Sequence, residues 1–327
     1  MSFNILFVGD LSSNNNTLFR YNSLKTMGYQ VKPINIYEYI SSNKILYWIN
    51  YRYQPAFLNF KINNILEKEI SKKFYLVWVE KGIFINLKNI KNSTNSIFIH
   101  FNPDNPFGLR KDGCWKLLLK NISYYNYHLT PRFTDSIYYR KHSKKITFPF
   151  CYDSKIHFHE DLEKDLTVTF IGSNHDNRYK FIYELEKILK FKINIYSDNW
   201  IGKYNKGVYG DQYRKIINRS KIMINFLTDS NLDEYSRRSL EIAACKTFFI
   251  SQKGKVLKKI FRENLETFYF NSVSECAILI NKFLNEPEKR NKIAEKANER
   301  IKELKLDNKY QLRNVISKIT TSKDFDI

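Results

Sequence analysis

Glycine is scarce in this 327-residue chain, ten in all, and no G-x-G-x-x-G occurs in either half. Without that phosphate-cradling turn, a dinucleotide-dependent dehydrogenase is argued against. Cysteine is equally thin. Cys114, Cys151, Cys245 and Cys276 stand far apart and form no C-x-x-C pair, which argues against a structural zinc site and against a disulfide framework. Cys245 falls on an apolar helix face and reads as a small core residue. There is no run of about 18 apolar residues that would read as a bilayer span. The opening MSFNILFVGD has neither the basic region nor the long apolar stretch of a secretory signal. A cytoplasmic protein is therefore expected.

Acidic residues are also under-represented: 33 Asp and Glu against 54 Lys and Arg, a net charge of +21. An excess of that size suits an anionic partner such as a nucleotide, a nucleic acid or the inner face of an anionic membrane, touched peripherally. The basic residues are spread along the chain, and Lys, Asn and Ile dominate together, so a coding bias toward AT-rich codons stands beside the functional explanation. Hydrophobic residues make up 43%, enough for full cores, and the length suits two domains of about 150 residues.

The hydrophobic pattern shows the same beginning twice. Ile5–Val8 reads as a strand ending at Gly9-Asp10, followed by a polar loop, a helix over about Leu18–Met27, a stop at Gly28 and a strand from Val31 to Ile36. Further strands are expected at Leu76–Val79, Ile97–Phe101, Tyr127–Leu129 and Ile146–Phe150, with a helix capped by Thr130 and opened by Pro131. The polar stretch 153–165 reads as a linker. The pattern then restarts with the strand Thr167–Ile171, the turn Gly172-Ser173 and a helix through Leu189 whose apolar face is expected to be Phe181, Leu185, Ile188 and Leu189. Ile193–Tyr196 is the next strand, Asp211–Arg219 a helix, Thr267–Phe270 a short strand, and helices dominate from Val273 to about Ile319. The expected architecture is α/β with two Rossmann-like doubly wound domains, residues 1–152 and 166–327.

Residues 222–252, IMINFLTDSNLDEYSRRSLEIAACKTFFISQ, carry the most chemistry. A strand runs into a polar loop with Asp233 and Glu234, then a helix over about Ser236–Cys245 and a strand over Thr247–Ile250. In such a crossover unit the loop lies outside the carboxyl end of a strand and at a helix start, where anions bind. Ser236, Arg237 and Arg238 would there face a dianion such as a pyrophosphate. Arg178, after the Gly172-Ser173 turn, is a further candidate. Solvated arginines, or arginines paired with Asp176, Asp233 and Glu234, are the alternative.

VTFIGS, RSKIMINF and SRRSLEIAACKTFFIS together resemble the C-terminal domain of GT-B glycosyltransferases, in particular the CgeB-like spore-maturation family. NILFVGD, IHFNPDNPFG, YHLTPRFTDSIYYR and ITFPF resemble its N-terminal domain. The resemblance implies two domains facing across a cleft, the first holding a glycan, lipid-linked or protein acceptor and the second a nucleotide-sugar. It implies no cofactor and no metal. It places Glu241 on the ribose hydroxyls and Asp233, eight residues earlier, near the donor sugar, with Tyr209 and Gly210 beside the nucleobase. The family pattern has Glu at the first of these acids; this chain has Asp233, with Glu234 adjacent.

A general base for the acceptor hydroxyl is sought at His100 or Asp104, after the strand IFIHF, with Asp10 a further acceptor-side residue. A core histidine and an ordinary turn aspartate are the competing readings. His157 and His159 read as surface residues, since nothing nearby completes a metal set. Glu241→Ala and Arg238→Ala are expected to abolish transfer and leave the fold. Two rivals remain at this stage: a non-catalytic sugar-nucleotide binder, and a basic nucleic-acid-binding protein.

Overall fold

The structure, a computed structural model, describes residues 3–13, 15–88, 90, 94–108, 115–132, 137–139, 141 and 144–321. Cys114, the tail beyond 321 and part of the helix expected after Pro131 lie outside these residues. The chain divides into two compact units: Met1–Pro149 with Gln311–Ile327, and Phe150–Tyr310.

The first unit contains β1 (Asn4–Gly9), α1 (Asn16–Thr26), β2 (Gln30–Asn35), α2 (Lys44–Tyr53), α3 (Phe60–Ile70), β3 (Leu76–Glu80), β4 (Ile97–Phe101), α4 (Lys116–Asn121), β5 (Tyr127–Thr130) and β6 (Lys144–Thr147). Its strands form one parallel sheet in the order β2-β1-β3-β4-β5-β6. β1, β3 and β4 are unbroken apolar runs because helices cover both faces of a parallel sheet. Leu6, Val8, Val77, Val79 and Phe98 pack with Ile62, Leu66 and Ile70 of α3 in one buried cluster. The Asn15 side chain caps α1 by accepting from Thr17 N at 3.0 Å, and Gly28 follows the helix with φ 90°. β6 begins two residues earlier than the apolar run ITFPF suggests: its pairing with β5 sets Leu129 against Ile146 and ends at Thr147.

The second unit contains β7 (Leu166–Ile171), α5 (Arg178–Leu189), β8 (Asn194–Ser197), β9 (Asn205–Lys206), α6 (Gly210–Arg219), β10 (Ser220–Asn225), α7 (Arg237–Ala244), β11 (Phe249–Gln252), α8 (Leu257–Ile260), β12 (Phe268–Phe270), α9 (Val273–Leu284) and α10 (Pro287–Glu303). Its parallel sheet runs β12-β11-β10-β7-β8-β9. α5 turns a slightly different face inward than expected. Ile182, Leu185 and Leu189 are buried, Phe181 is half-buried and Ile188 is 48% exposed.

The stretch 153–165, expected as a linker, is strapped to the second unit. Arg214 of α6 donates to Ile156 O and pairs with Glu160, Asn218 donates to Phe158 O, and Lys164 donates to the carbonyls of Asn218 and Ser220. Polarity marked it as a connector, but its polar groups serve as ties. The last helix, α11 (Asn308–Thr321), starts in the second unit and from Gln311 onward belongs to the first, whereas the sequence assigned it wholly to the C-terminal domain. Among the described residues no helix is long and apolar enough to cross a membrane.

Candidate active site

In the second sheet β7 is the first strand in the chain, yet β8 lies on one side of it and β10 on the other. The strand order therefore reverses between β7 and β10, and doubly wound sheets take ligands outside the carboxyl ends of strands at such a point. Gly172 and Ser173 continue β7 beyond its end there, and Phe226, Leu227 and Thr228 continue β10.

Arg178 opens α5 and is buried. Its Nη1 donates to Ser173 O at 3.2 Å, and its Nη2 donates to Leu227 O and Thr228 Oγ1, both at 3.0 Å. Arg178 thus stitches the two strand ends together. Arg238 leans on the same turn: a Cβ on Gly172, whose φ is 153°, would lie 3.1 Å from its Nη1, so glycine lets the guanidinium approach the backbone closely. Among the described residues neither arginine makes an ion pair, and the Nε of each is buried with no hydrogen-bond partner. Burial, followed by the neighbouring charge of Arg238, pushes Arg178 down to about 10, against the pull of Asp176, Asp233 and Asp229. Two guanidiniums side by side with donors unspent make a site short of an anion.

Ser236 caps α7, accepting from Ser239 N at 3.2 Å while its hydroxyl donates to Asn225 Oδ1 at 2.7 Å. The cap contributes about 1 kcal/mol. Asp233 lies in the loop before it, accepts from Asn231 Nδ2 at 3.0 Å and is one of the charges felt by Arg178.

Glu241 is buried inside α7, with both oxygens engaged. Tyr213 donates to Oε2 at 2.6 Å, Arg237 Nε donates to Oε1 at 3.0 Å, and His157 Nε2 lies 3.8 Å from Oε1. Burial alone would raise the carboxyl. His157, Arg237, the Tyr213 hydroxyl and Arg238 together outweigh it and hold Glu241 below the usual carboxylate range. His157 is itself pushed down by burial, against the pull of Glu241, so Arg237 supplies the lasting positive charge near neutral pH. Arg237 thus directs its Nε to Glu241 from one helical turn before it. His157 is buried, not a surface residue, because its segment is strapped down; His159 lies on the same strap with Nδ1 3.3 Å from Cys245 O. Removing the Glu241 carboxylate would leave buried donors unmatched, so Glu241→Ala costs stability as well as function.

Tyr209 stands before α6, half exposed, and its hydroxyl donates to Asp198, whose other oxygen accepts from Gly207 N at 3.2 Å. Gly210 follows with φ 54°.

In the first unit, His100 is enclosed. Its Nδ1 lies 2.9 Å from His128 Nδ1 and its Nε2 lies 3.1 Å from Lys81 O, and burial drives it well below the ordinary histidine range. It is fully enclosed, a core histidine that presents neither ring nitrogen to solvent. Asp104, beyond the end of β4, is partly buried and pairs with Lys81 Nζ at 2.8 Å. Asp10 lies beyond the end of β1, where Ser12 Oγ donates to it at 2.6 Å and Asn15 Nδ2 at 2.5 Å. Between them Glu80, buried at the end of β3, takes a two-pronged contact from Arg20 and a 2.8 Å bond from Trp78 Nε1. Glu80 and Tyr213 were not singled out in the sequence. The carboxylate ending an apolar strand at Glu80 was a readable signal; for Tyr213 no local pattern exists.

The sequence pattern of a family described as glycosyl transferase-like matches residues 178–315, which contain both arginines, Asp233 and Glu241. Among solved structures, sucrose-phosphate synthase from Thermosynechococcus elongatus is 10% identical with a TM-score of 0.70, covering 98% of this chain and 100% of its own. A glycosyltransferase from Rickettsia africae is 13% identical with a TM-score of 0.67 over the same shares. Anabaena HepE, in complex with UDP and glucose, is 9% identical with a TM-score of 0.64, again over 98% and 100%. At these identities the likeness speaks to the fold, which is GT-B: two Rossmann-like domains, each with a six-stranded parallel sheet. The family match and the fold together support a glycosyltransferase enzyme. No curated protein sequence matches the chain.

Proposed function

We propose that this protein transfers a sugar from a nucleoside diphosphate donor, held on the second unit, to a hydroxyl of a glycan, lipid-linked or protein acceptor. The acceptor oxygen forms a bond to the anomeric carbon, the bond from that carbon to the diphosphate breaks, and the nucleoside diphosphate leaves with both electrons. One observation carries the reading: Arg178 and Arg238 converge on the Gly172-Ser173 turn, each with a buried Nε lacking an acceptor. A departing diphosphate supplies the missing oxygens and charge, and preorganised donors aimed at a leaving group stabilise it as its charge develops. In this reading no metal is needed. Glu241 orients the ribose, Asp233 stands by the donor sugar, Tyr209 flanks the base, and Asp104 or Asp10 takes the acceptor proton. HepE has been solved with UDP and glucose, which makes UDP the first nucleotide to try. The CgeB-like family is the subfamily to which we assign the chain, on the sequence blocks given above, and we place the reaction in the cytoplasm.

Calorimetry with UDP, GDP and ADP, followed by donor hydrolysis with and without EDTA, tests this. Arg238→Ala is expected to lower turnover by about 10²–10³-fold and to weaken diphosphate binding while the fold persists, and EDTA is expected to change nothing. Undiminished diphosphate affinity in both Arg178→Ala and Arg238→Ala would refute the donor site. Binding without turnover would replace the enzyme with a sugar-nucleotide binder. Oligonucleotide binding in place of nucleotide binding would revive the nucleic-acid reading.

A further inference from the structure

Helix α2 carries apolar residues on two faces. Tyr47, Asn50, Tyr51 and Gln54, at helical spacing, turn inward, with Tyr47 and Tyr51 against the buried cluster of the first unit. The opposite stripe of Ile45, Trp48 and Arg52 turns out, with Ile45 69% and Trp48 55% exposed. The chain then passes Tyr53 (63% exposed) and a 3-10 turn, Ala56–Asn59, where Phe57 is 73% exposed, into α3, whose first residue Phe60 is 63% exposed. A soluble surface rarely gathers so many large apolar side chains in one short segment without a partner for them.

The patch is preformed. Asn50 and Asn59, both buried, exchange amide hydrogen bonds of 2.9 Å in each direction, which locks α2 to the 3-10 turn. Tyr53 sits edge-on to Trp48 with ring centroids 5.9 Å apart. The charges within the segment have one sign. No Asp or Glu occurs between Glu38 and Glu67, while Lys44, Arg52 and Lys61 are exposed among the aromatics.

We infer that this surface docks the first unit onto an anionic phospholipid bilayer. Trp and Tyr favour the headgroup level, Ile and Phe the acyl boundary, and Lys and Arg the phosphates. The charge pattern selects this occupant over a second copy of the chain. A twofold pairing of the patch would bring Lys44, Arg52 and Lys61 of one copy against the same residues of the other, with no carboxylate in the segment to receive them. The inference is independent of the transferase reading, since neither the arginine site nor nucleotide binding enters it.

Cosedimentation of the full chain with vesicles tests it, comparing phosphatidylcholine alone with equal parts phosphatidylcholine and phosphatidylglycerol. Wild type is expected to bind the mixed vesicles and not the zwitterionic ones. Trp48 is the exposed member of the four tryptophans, since Trp78, Trp115 and Trp200 are buried, so its emission is expected to shift to the blue on binding. W48S/F57S/F60S and K44E/R52E/K61E are each expected to lose binding, by about fivefold per removed charge in the second. The triple reversal K292E/K296E/K302E on α10 changes net charge equally and is expected to retain it. Equal loss in that control, or equal binding of wild type to both vesicle types, would overturn the inference. So would a wild type that binds no vesicle, whether it runs as a dimer dispersed by W48S/F57S/F60S or captures an acidic protein.

Discussion

At Glu241 a single buried carboxylate is held by three side chains from different parts of the chain. Glu241→Gln keeps the shape and removes the charge. A fold that survives, with donor KM raised at least about tenfold, is the expected result; unchanged KM would separate Glu241 from the donor. His157 and His100 each make stability fall with acid. Burial lowers both below their unfolded value of about 6.5, so unfolding takes up protons as pH falls through 6.5. Their contribution is complete above that value and is lost below it. Around His157 the charges of Glu241, Arg237 and Asp153 act in opposite senses, and burial dominates. The urea midpoint is expected to fall between pH 7.5 and 5.5, with a shallower slope in His157→Gln. An unchanged slope would show that His157 is not buried neutral. Such relations were invisible in the sequence, where His157 lay in a polar run and Glu241 stood out only by its apolar neighbours.

The elements were more legible than their partners. β1, β3, β4, β7 and β10 could be read because parallel strands covered on both faces are continuous apolar runs. α7 could be read because Ser236 caps it and the loop before it is polar. α2 and α3 were missed because exposed Ile45, Trp48, Phe57 and Phe60 blur the period that identifies an amphipathic helix. The two arginines were visible as candidates, yet their convergence depends on β7 and β10 being neighbours, which no local pattern states. Arg20 and Glu80 tie α1 to β3 at the corresponding switch point of the first sheet. Removing one member strands the other in a dry environment, so Arg20→Ala is expected to cost about 3–5 kcal/mol in a denaturant titration. A loss below about 1 kcal/mol would show that the pair is solvated.

Over the whole molecule, the final helix decides where each unit ends. Leu312, Val315, Ile316 and Ile319 are all buried in the segment that belongs to the first unit. A chain ending at Tyr310 is expected to shift the first unit's thermal transition sharply downward, because each lost side chain removes about 1.5–3 kcal/mol of burial. Nucleotide binding by the second unit is expected to remain. One unaltered calorimetric transition would contradict the division. The sequence located this helix but not its allegiance, because an amphipathic stripe says that a face is covered and not by which body.

The chain crosses between the units twice, and the crossings run side by side: Asn308 N donates to Tyr152 O at 2.8 Å and Tyr152 N to Leu306 O at 3.2 Å. The first unit is consequently assembled from two stretches separated by the whole of the second, so its interior closes only where the chain returns to it from Gln311 onward.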